Sequence, residues 1–271
     1  MLGYDFMRRA LIAGLMLAAI IPMIGMVMIN RKTSMIGDAL SHSSLAGIAL
    51  GLILSINPMV GSIVFCIISA FAIEFIRKRF KEFGDMATAI IMSLGIGLAA
   101  VLSDFAPGGK SFESYLFGSI TTVSKTDLYM VGAIFIIVLL ASYYFYHGLL
   151  YISINPLMAR LAGVRVGLIN GIFTLITALT VAVSAKLVGA LMVASLMVIP
   201  VANALILAKS YKSTYIMSIG FSIVFMALGI TASYNLGAKP GGAIVLIAIM
   251  SLVIVGLVSM AYKKIKKKNS I

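Results

Sequence analysis

Asp38 and His42 stand four residues apart in the run Met35-Ile-Gly-Asp-Ala-Leu-Ser-His-Ser-Ser-Leu-Ala-Gly-Ile-Ala-Leu-Gly51. On a helix that spacing makes them neighbours on one face. A carboxylate beside an imidazole suits a divalent first-row metal: the oxygen is hard enough for manganese, and the nitrogen serves zinc or iron. The surrounding residues are apolar, so the pair reads as part of a membrane span. A charge there costs at least about 2.5–3.5 kcal/mol on insertion scales and is normally kept for a partner or a pathway. A bland reading is also physical: Asp38 as a helix N-cap at the membrane edge, His42 bonded to a backbone carbonyl. Gly47 and Gly51 form a GxxxG pair. At about 100° per residue, Gly47 lies about 180° from Asp38. The glycine face can then press on a neighbouring helix while the polar face looks at a pathway.

A second stretch is Asn155-Pro-Leu-Met-Ala-Arg-Leu-Ala-Gly-Val-Arg-Val166. Pro156 suits the first turn of a helix and Gly163 its C-terminal stop. Met158, Leu161 and Ala162 make one apolar side. Such a helix serves either as a docking peg or as a segment lying on the lipid surface. Other motifs fail on inspection. Gly109-Lys110-Ser111 ends like a phosphate-binding loop, but the pattern needs glycine at position 104, where Asp104 stands. Any ATP that drives this protein therefore sits on another subunit. Neither His42 nor His147 begins an HExxH motif, which argues against an intramembrane zinc protease. Cys66 is the single cysteine and lies in an apolar run, so it reads as an inert structural thiol.

The elements that must hold these residues are membrane helices. Of 271 residues 62% are apolar and only 11% charged, with a mean hydropathy of +1.14. Ordinary soluble domains are roughly 25% charged. This excludes a soluble enzyme, a nucleic-acid binder and a disordered chain. Stretches of about 20 apolar residues fall at 10–29, 36–54, 59–76, 86–103, 128–149, 168–185, 187–208, 214–232 and 241–262. The fold class is thus an all-α polytopic membrane protein of nine spans, one membrane domain over 1–271. The net charge of +13 lies in short clusters between spans, where it reads as orientation. With the Arg77–Lys81 loop inside, alternation puts 15 of the 21 lysines and arginines inside. That places the N-terminus outside and the C-terminus in the cytoplasm. Arg8 and Arg9 run against the bias, and an eight-span arrangement with both ends inside is the alternative.

Residues 104–127 are too long for a turn and too polar for a span, and read as an outer-face or re-entrant segment able to close a pathway. Glu74 reads as a helix-face partner of Arg77 and Lys78. Asp104, Glu113 and Asp127 read as solvated outer-face acids, and His147 as an interfacial residue. The 18 methionines are scattered through the spans as core and lipid-facing filler.

The two stretches together resemble the permease subunit of metal-importing ABC transporters, the zinc/manganese/iron ABC-3 family. The resemblance runs over nearly the whole chain. The family's early Gly-Asp-Ala-[Leu/Ile]-Ser-His run is matched by Gly37 to His42. Ser114-Tyr-Leu-Phe-Gly-Ser119 and Val188-Gly-Ala-Leu-Met-Val-Ala-Ser-Leu-Met-Val-Ile-Pro-Val-Ala-Asn203 are also similar. The family's coupling helix, usually Asp-Pro-x-x-Ala-x-x-x-Gly, is matched at Pro156, Ala159 and Gly163, within a coupling segment over 154–166. Asn155 departs from its Asp, and Ala46 stands where the family usually has Pro. The resemblance implies the type II importer fold in the cell membrane and no permanently bound cofactor. The ion moved is manganese, zinc or iron, with Asp38 and His42 as its intramembrane ligands. It also implies a second copy of the chain, a cytoplasmic ATP-binding cassette subunit, an extracellular metal-binding protein and an outer gate near 111–120. A permease for a metal chelate or vitamin is the nearest rival, and a membrane-embedded enzyme a more distant one.

Overall fold

The computed structural model describes residues 4–80, 83–106, 114–119 and 123–268. Among them nine helices are long and apolar enough to cross a membrane. In chain order these are α1 (Asp5–Asn30), α2 (Met35–Ile53), α3 (Pro58–Arg79), α4 (Gly84–Phe105) and α5 (Lys125–Tyr144). Two short helices follow, α6 (Tyr146–Ile154) and α7 (Pro156–Leu161). The remaining four are α8 (Val166–Val188), α9 (Ala190–Leu207), α10 (Tyr211–Leu236) and α11 (Pro240–Lys268). Alternation gathers Arg31, Arg77, Lys78 and α7 at one end of the bundle, here the basic end. The α8–α9 junction and residues 114–119 share the opposite end.

The helix ends follow from local chemistry. Asn57 caps α3 by accepting from the Met59 amide at 2.9 Å, with Pro58 in the first turn. Ser124 and Asp127 form a capping box at α5. Ser210 accepts from the Ser213 amide to cap α10, and Gly237 ends it with φ +63°. The fifth apolar run, read as one span over 128–149, is divided instead. α5 stops at Tyr144 and α6 carries the chain on to Ile154.

Lipid supplies no hydrophobic drive between helices, so close packing of small residues holds the bundle. α1 and α2 form its interior and are its most buried spans. A Cβ on Gly25 of α1 would overlap the Met197 carbonyl of α9. Gly47 of α2 faces the Gly61 carbonyl and Ser62 Cα of α3, and Gly51 faces Pro58. The GxxxG face is therefore the α2–α3 contact, turned away from Asp38. Cys66 is buried at this contact with its thiol 3.4 Å from the Leu40 carbonyl. α11 is the least covered span.

Candidate functional site

α2 carries the site. Asp38 and His42 lie about 4.5 Å and about 10.5 Å along the helix axis from Met35, at 1.5 Å per residue. The cap of this helix is Ser34, not Asp38, and His42 makes no hydrogen bond to a carbonyl among the described residues. Both parts of the bland reading are therefore replaced. His42 Nε2 stands 3.8 Å from Asp38 Oδ1, too far for a hydrogen bond. Two metal–ligand bonds of about 2.1 Å at a tetrahedral angle put their donors about 3.4 Å apart. The observed separation closes to that by a few tenths of an ångström, within rotamer reach.

The polar neighbours in the same run do not compete. Ser41 donates to the Gly37 carbonyl at 2.8 Å, Ser43 to Ala39 at 2.9 Å and Ser44 to Ser41 at 2.6 Å. Each hydroxyl proton is committed to a carbonyl of their own helix. Asp38 and His42 remain 34% and 19% exposed in the single chain, on a helix that is otherwise largely buried. A charge left facing lipid is costly, so this face calls for water or a second protein surface. Among the described residues no third histidine, cysteine or carboxylate joins the pair.

α2 is fixed at this level by glycine contacts. Gly95 of α4 would bring a Cβ 2.8 Å from the Ser43 amide nitrogen and 3.0 Å from the His42 carbonyl carbon. Gly37 would meet the Met197 sulfur at 2.8 Å. One turn beyond His42, Leu45, Ala46 and Ile48 join Ala99, Ala185 and Ala190 in a buried apolar cluster. Tyr115 and Leu116 pack against it from the short helical turn 114–117. An apolar stopper thus lies between the pair and the opposite end of the bundle.

The segment that supplies this stopper is held by close glycine contacts and by a buried ion pair. Gly118 at φ +79° and Gly189 at φ +97° lie backbone to backbone, and Gly241 adds a third close approach at the Val188 carbonyl. A side chain at any of the three would collide, and at Gly118 or Gly189 it would also be strained. Lys239 stands over the Phe117 ring at 4.2 Å. Asp127 is not a solvated acid: it is fully buried, caps α5 and accepts from Lys186 Nζ at 2.6 Å. Burial raises the Tyr115 pKa, and the Asp127 charge raises it further. Asp104 is exposed, while Glu113 and Lys110 lie outside the described residues. The described parts of 104–127 are shorter than the segment read from sequence, because α4 extends to Phe105 and α5 starts at Lys125.

At the basic end, α7 occupies six residues of the stretch 154–166. Asn155 caps it, accepting from the Leu157 amide at 2.9 Å and the Met158 amide at 3.2 Å. An aspartate would make the same cap, so this departure from the family pattern keeps the structure. Pro156 takes the first turn and Ala159 is buried against the bundle. Gly163 turns the chain at φ +80°, with its amide on Arg160 and the Val164 amide on Ala159, a Schellman stop. Leu157, Met158 and Leu161 project outward, 63%, 61% and 77% exposed. His147 is exposed on α6 and edge-on to Tyr146, far in sequence from the pair on α2.

Comparison with known proteins gives this arrangement a context. The profile of the ABC 3 transport family matches residues 3–260. A probable metal transport system membrane protein of Treponema pallidum is 36% identical over 255 residues, covering 94% of this chain and 96% of that one. The high-affinity zinc uptake system membrane protein ZnuB of Haemophilus influenzae is 32% identical, covering 88% and 92%. The manganese transport system membrane protein MntC of Listeria monocytogenes is 29% identical, covering 92% and 89%. Among solved structures, PsaBC from Streptococcus pneumoniae in complex with Fab superimposes with a TM-score of 0.84 at 28% identity, covering 94% and 92%.

Proposed function

The chain belongs to the ABC 3 transport family, and on that footing we propose that it is the permease of an importer for manganese or zinc. As a family member it is a multi-pass membrane subunit of a transporter and not an enzyme. The observation that carries the cargo reading is the Asp38–His42 pair. It is an oxygen and a nitrogen donor 3.8 Å apart, without hydrogen-bond partners among the described residues, on a half-open face of a buried helix. The relatives' names support zinc and manganese, and iron is not carried forward.

In this reading a second copy of the chain covers the face of α2 that the single chain leaves open. Two-fold symmetry then brings two pairs together and takes the protein ligand count towards four. The ion exchanges its water for these donors, held above by the apolar contact of Tyr115 and Leu116 with the cluster that includes Leu45. That contact serves as the outer gate. A separate ATP-binding subunit drives release and docks on α7, whose outward Leu157, Met158 and Leu161 offer it an apolar peg. An extracellular metal-binding protein delivers the ion. No cofactor stays bound.

The coupling role has a direct test. Gly163→Leu should leave the permease inserted but cut uptake and permease-stimulated ATP hydrolysis to about a tenth or less. The φ of +80° disfavours an L residue by about 1–2 kcal/mol. No atom lies within 4 Å of the built Cβ, so backbone conformation and the docked partner, not packing, set the effect. Asn155→Asp should retain uptake, because it preserves the cap. Unchanged ATP hydrolysis in Gly163→Leu would make α7 a surface helix.

Orientation follows from the basic bias, with the basic end in the cytoplasm. In a Cys66→Ala background, Lys125→Cys should react with an impermeant thiol reagent in intact cells. Phe80→Cys should react only after permeabilisation. Both native side chains are exposed, at opposite ends of the bundle. Labelling of position 80 alone in intact cells would invert the orientation.

A further inference from the structure

A cavity lies at the basic end, with a volume of about 300 Å³. It is bounded by the ends of α1 and α3, the start of α2, and α8. Ile36 and Leu40 supply the α2 side of its wall. Asp38 is two residues from each of them, about 200° round the helix. The cavity therefore lies on the opposite side of α2 from Asp38 and His42.

The charges in this cavity are unbalanced. Glu74 is already engaged, by Lys78 Nζ at 2.8 Å and by the Thr174 hydroxyl at 3.0 Å. Arg31 and Arg77 both line the cavity, and among the described residues no carboxylate is within ion-pair distance of either. Arg31 instead stands over the Phe173 ring at 5.5 Å. Its pKa is lowered chiefly by burial and then by the charge of Arg77, against a smaller pull from Glu74. Two guanidiniums that repel one another in a half-buried site call for an anion. Asn170 Oδ1, also in the wall, is buried without a hydrogen-bond partner among the described residues, an acceptor awaiting a hydroxyl. Thr33, Thr174 and Thr177 add hydroxyls to the wall, and Met28, Ile36, Leu40, Ala70, Ile73 and Phe173 give it an apolar side.

We propose that this cavity binds the phosphodiester headgroup of an anionic, hydroxyl-bearing phospholipid from the membrane leaflet at the basic end. Guanidinium forks match phosphate oxygens in geometry as well as charge. Basic pockets between membrane helices on the cytoplasmic side are suited to such headgroups. The apolar wall takes the first part of the lipid's glycerol and acyl region, which a free phosphate would leave unfilled. Bound there, the lipid ties the α1–α2 turn to α3 and α8 behind the metal-bearing helix.

The test uses the full-length chain in detergent, with bound lipid read by native mass spectrometry. The probes are phosphatidylglycerol, phosphatidylcholine and glycerol 1-phosphate. Phosphatidylglycerol should be retained well above phosphatidylcholine, and millimolar glycerol 1-phosphate should not displace it. Arg31→Gln and Arg77→Gln should each weaken retention about fivefold, and together about thirtyfold, at the energy typical of one basic residue near an anionic surface. Ala70→Leu, which fills the cavity without changing charge, should also lower retention. Equal retention of phosphatidylglycerol and phosphatidylcholine by the wild type overturns the proposal, and that comparison stands even if a variant fails to assemble. Wild-type retention in both the double arginine variant and Ala70→Leu also overturns it. Displacement by glycerol 1-phosphate would assign the site to a soluble phosphate ester and overturn the lipid assignment.

Discussion

Asp38→Ala and His42→Ala should each reduce metal uptake to below about one hundredth of wild type, since even changes outside the ligand shell cost 10–100-fold. Membrane insertion and assembly should stay near normal. The reason lies in the donor count. Each chain offers two donors at 3.8 Å, and among the described residues no third acid, histidine or cysteine joins them. Removing one leaves too few protein ligands to replace the water the ion gives up. The fold does not depend on the pair, because neither side chain makes a hydrogen bond among the described residues. Neutralising Asp38 should even ease insertion, by removing a charge from a span. Asp38→Glu should keep part of the activity and His42→Gln very little, because an amide is a poor substitute for imidazole as a metal ligand. Radiolabelled manganese and zinc uptake in intact cells, with expression checked in the same cells, reads the result. Wild-type uptake in both alanine variants would remove the site.

The second large effect is expected at Gly95→Leu, which touches neither ligand. Gly95 lets α4 lie against the α2 backbone at His42 and Ser43, with contacts of 2.8 to 3.0 Å from a built Cβ. Those neighbours are backbone atoms and cannot rotate away. Overpacking of this kind costs about 1–3 kcal/mol and is relieved by moving the helices apart. A 1 Å displacement of a reacting group can cost about a hundredfold, so uptake should fall by a comparable factor through His42. Gly97→Leu is the control, because no atom lies within 4 Å of its Cβ on the same helix. Uptake in Gly95→Leu equal to that in Gly97→Leu would mean that α4 does not position the site.

The juxtaposition of Asp38 and His42 was legible in the sequence because an acid and an imidazole one turn apart stand out within an apolar run. The glycine face of α2 was legible for a similar reason: helix periodicity put Gly47 opposite Asp38, and it does lie on α3. Asn155, Pro156 and Gly163 each mark one end of α7 by a local rule. What escaped depends on residues distant in the chain. Asp127 read as a solvated acid because its partner, Lys186, is 59 residues away. Gly95 sits in an ordinary apolar span, and only the approach of His42 gives it meaning. Gly118, Gly189 and Gly241 act as a set across three segments. The break at Phe145 has neither proline nor glycine to announce it. The basic cavity needed Arg31, Arg77 and Asn170 to be brought together from three separate parts of the chain.

In the proposed importer the transported ion rests between Asp38 and His42. Crystals of the assembled transporter soaked with Mn²⁺ or Zn²⁺, measured at the absorption edge of the metal, test it most directly. An anomalous peak is expected about 2.0–2.2 Å from an Asp38 carboxylate oxygen and a His42 ring nitrogen, lost in Asp38→Ala. A fully occupied metal peak in the membrane region beyond reach of both side chains, unchanged in Asp38→Ala, would contradict it.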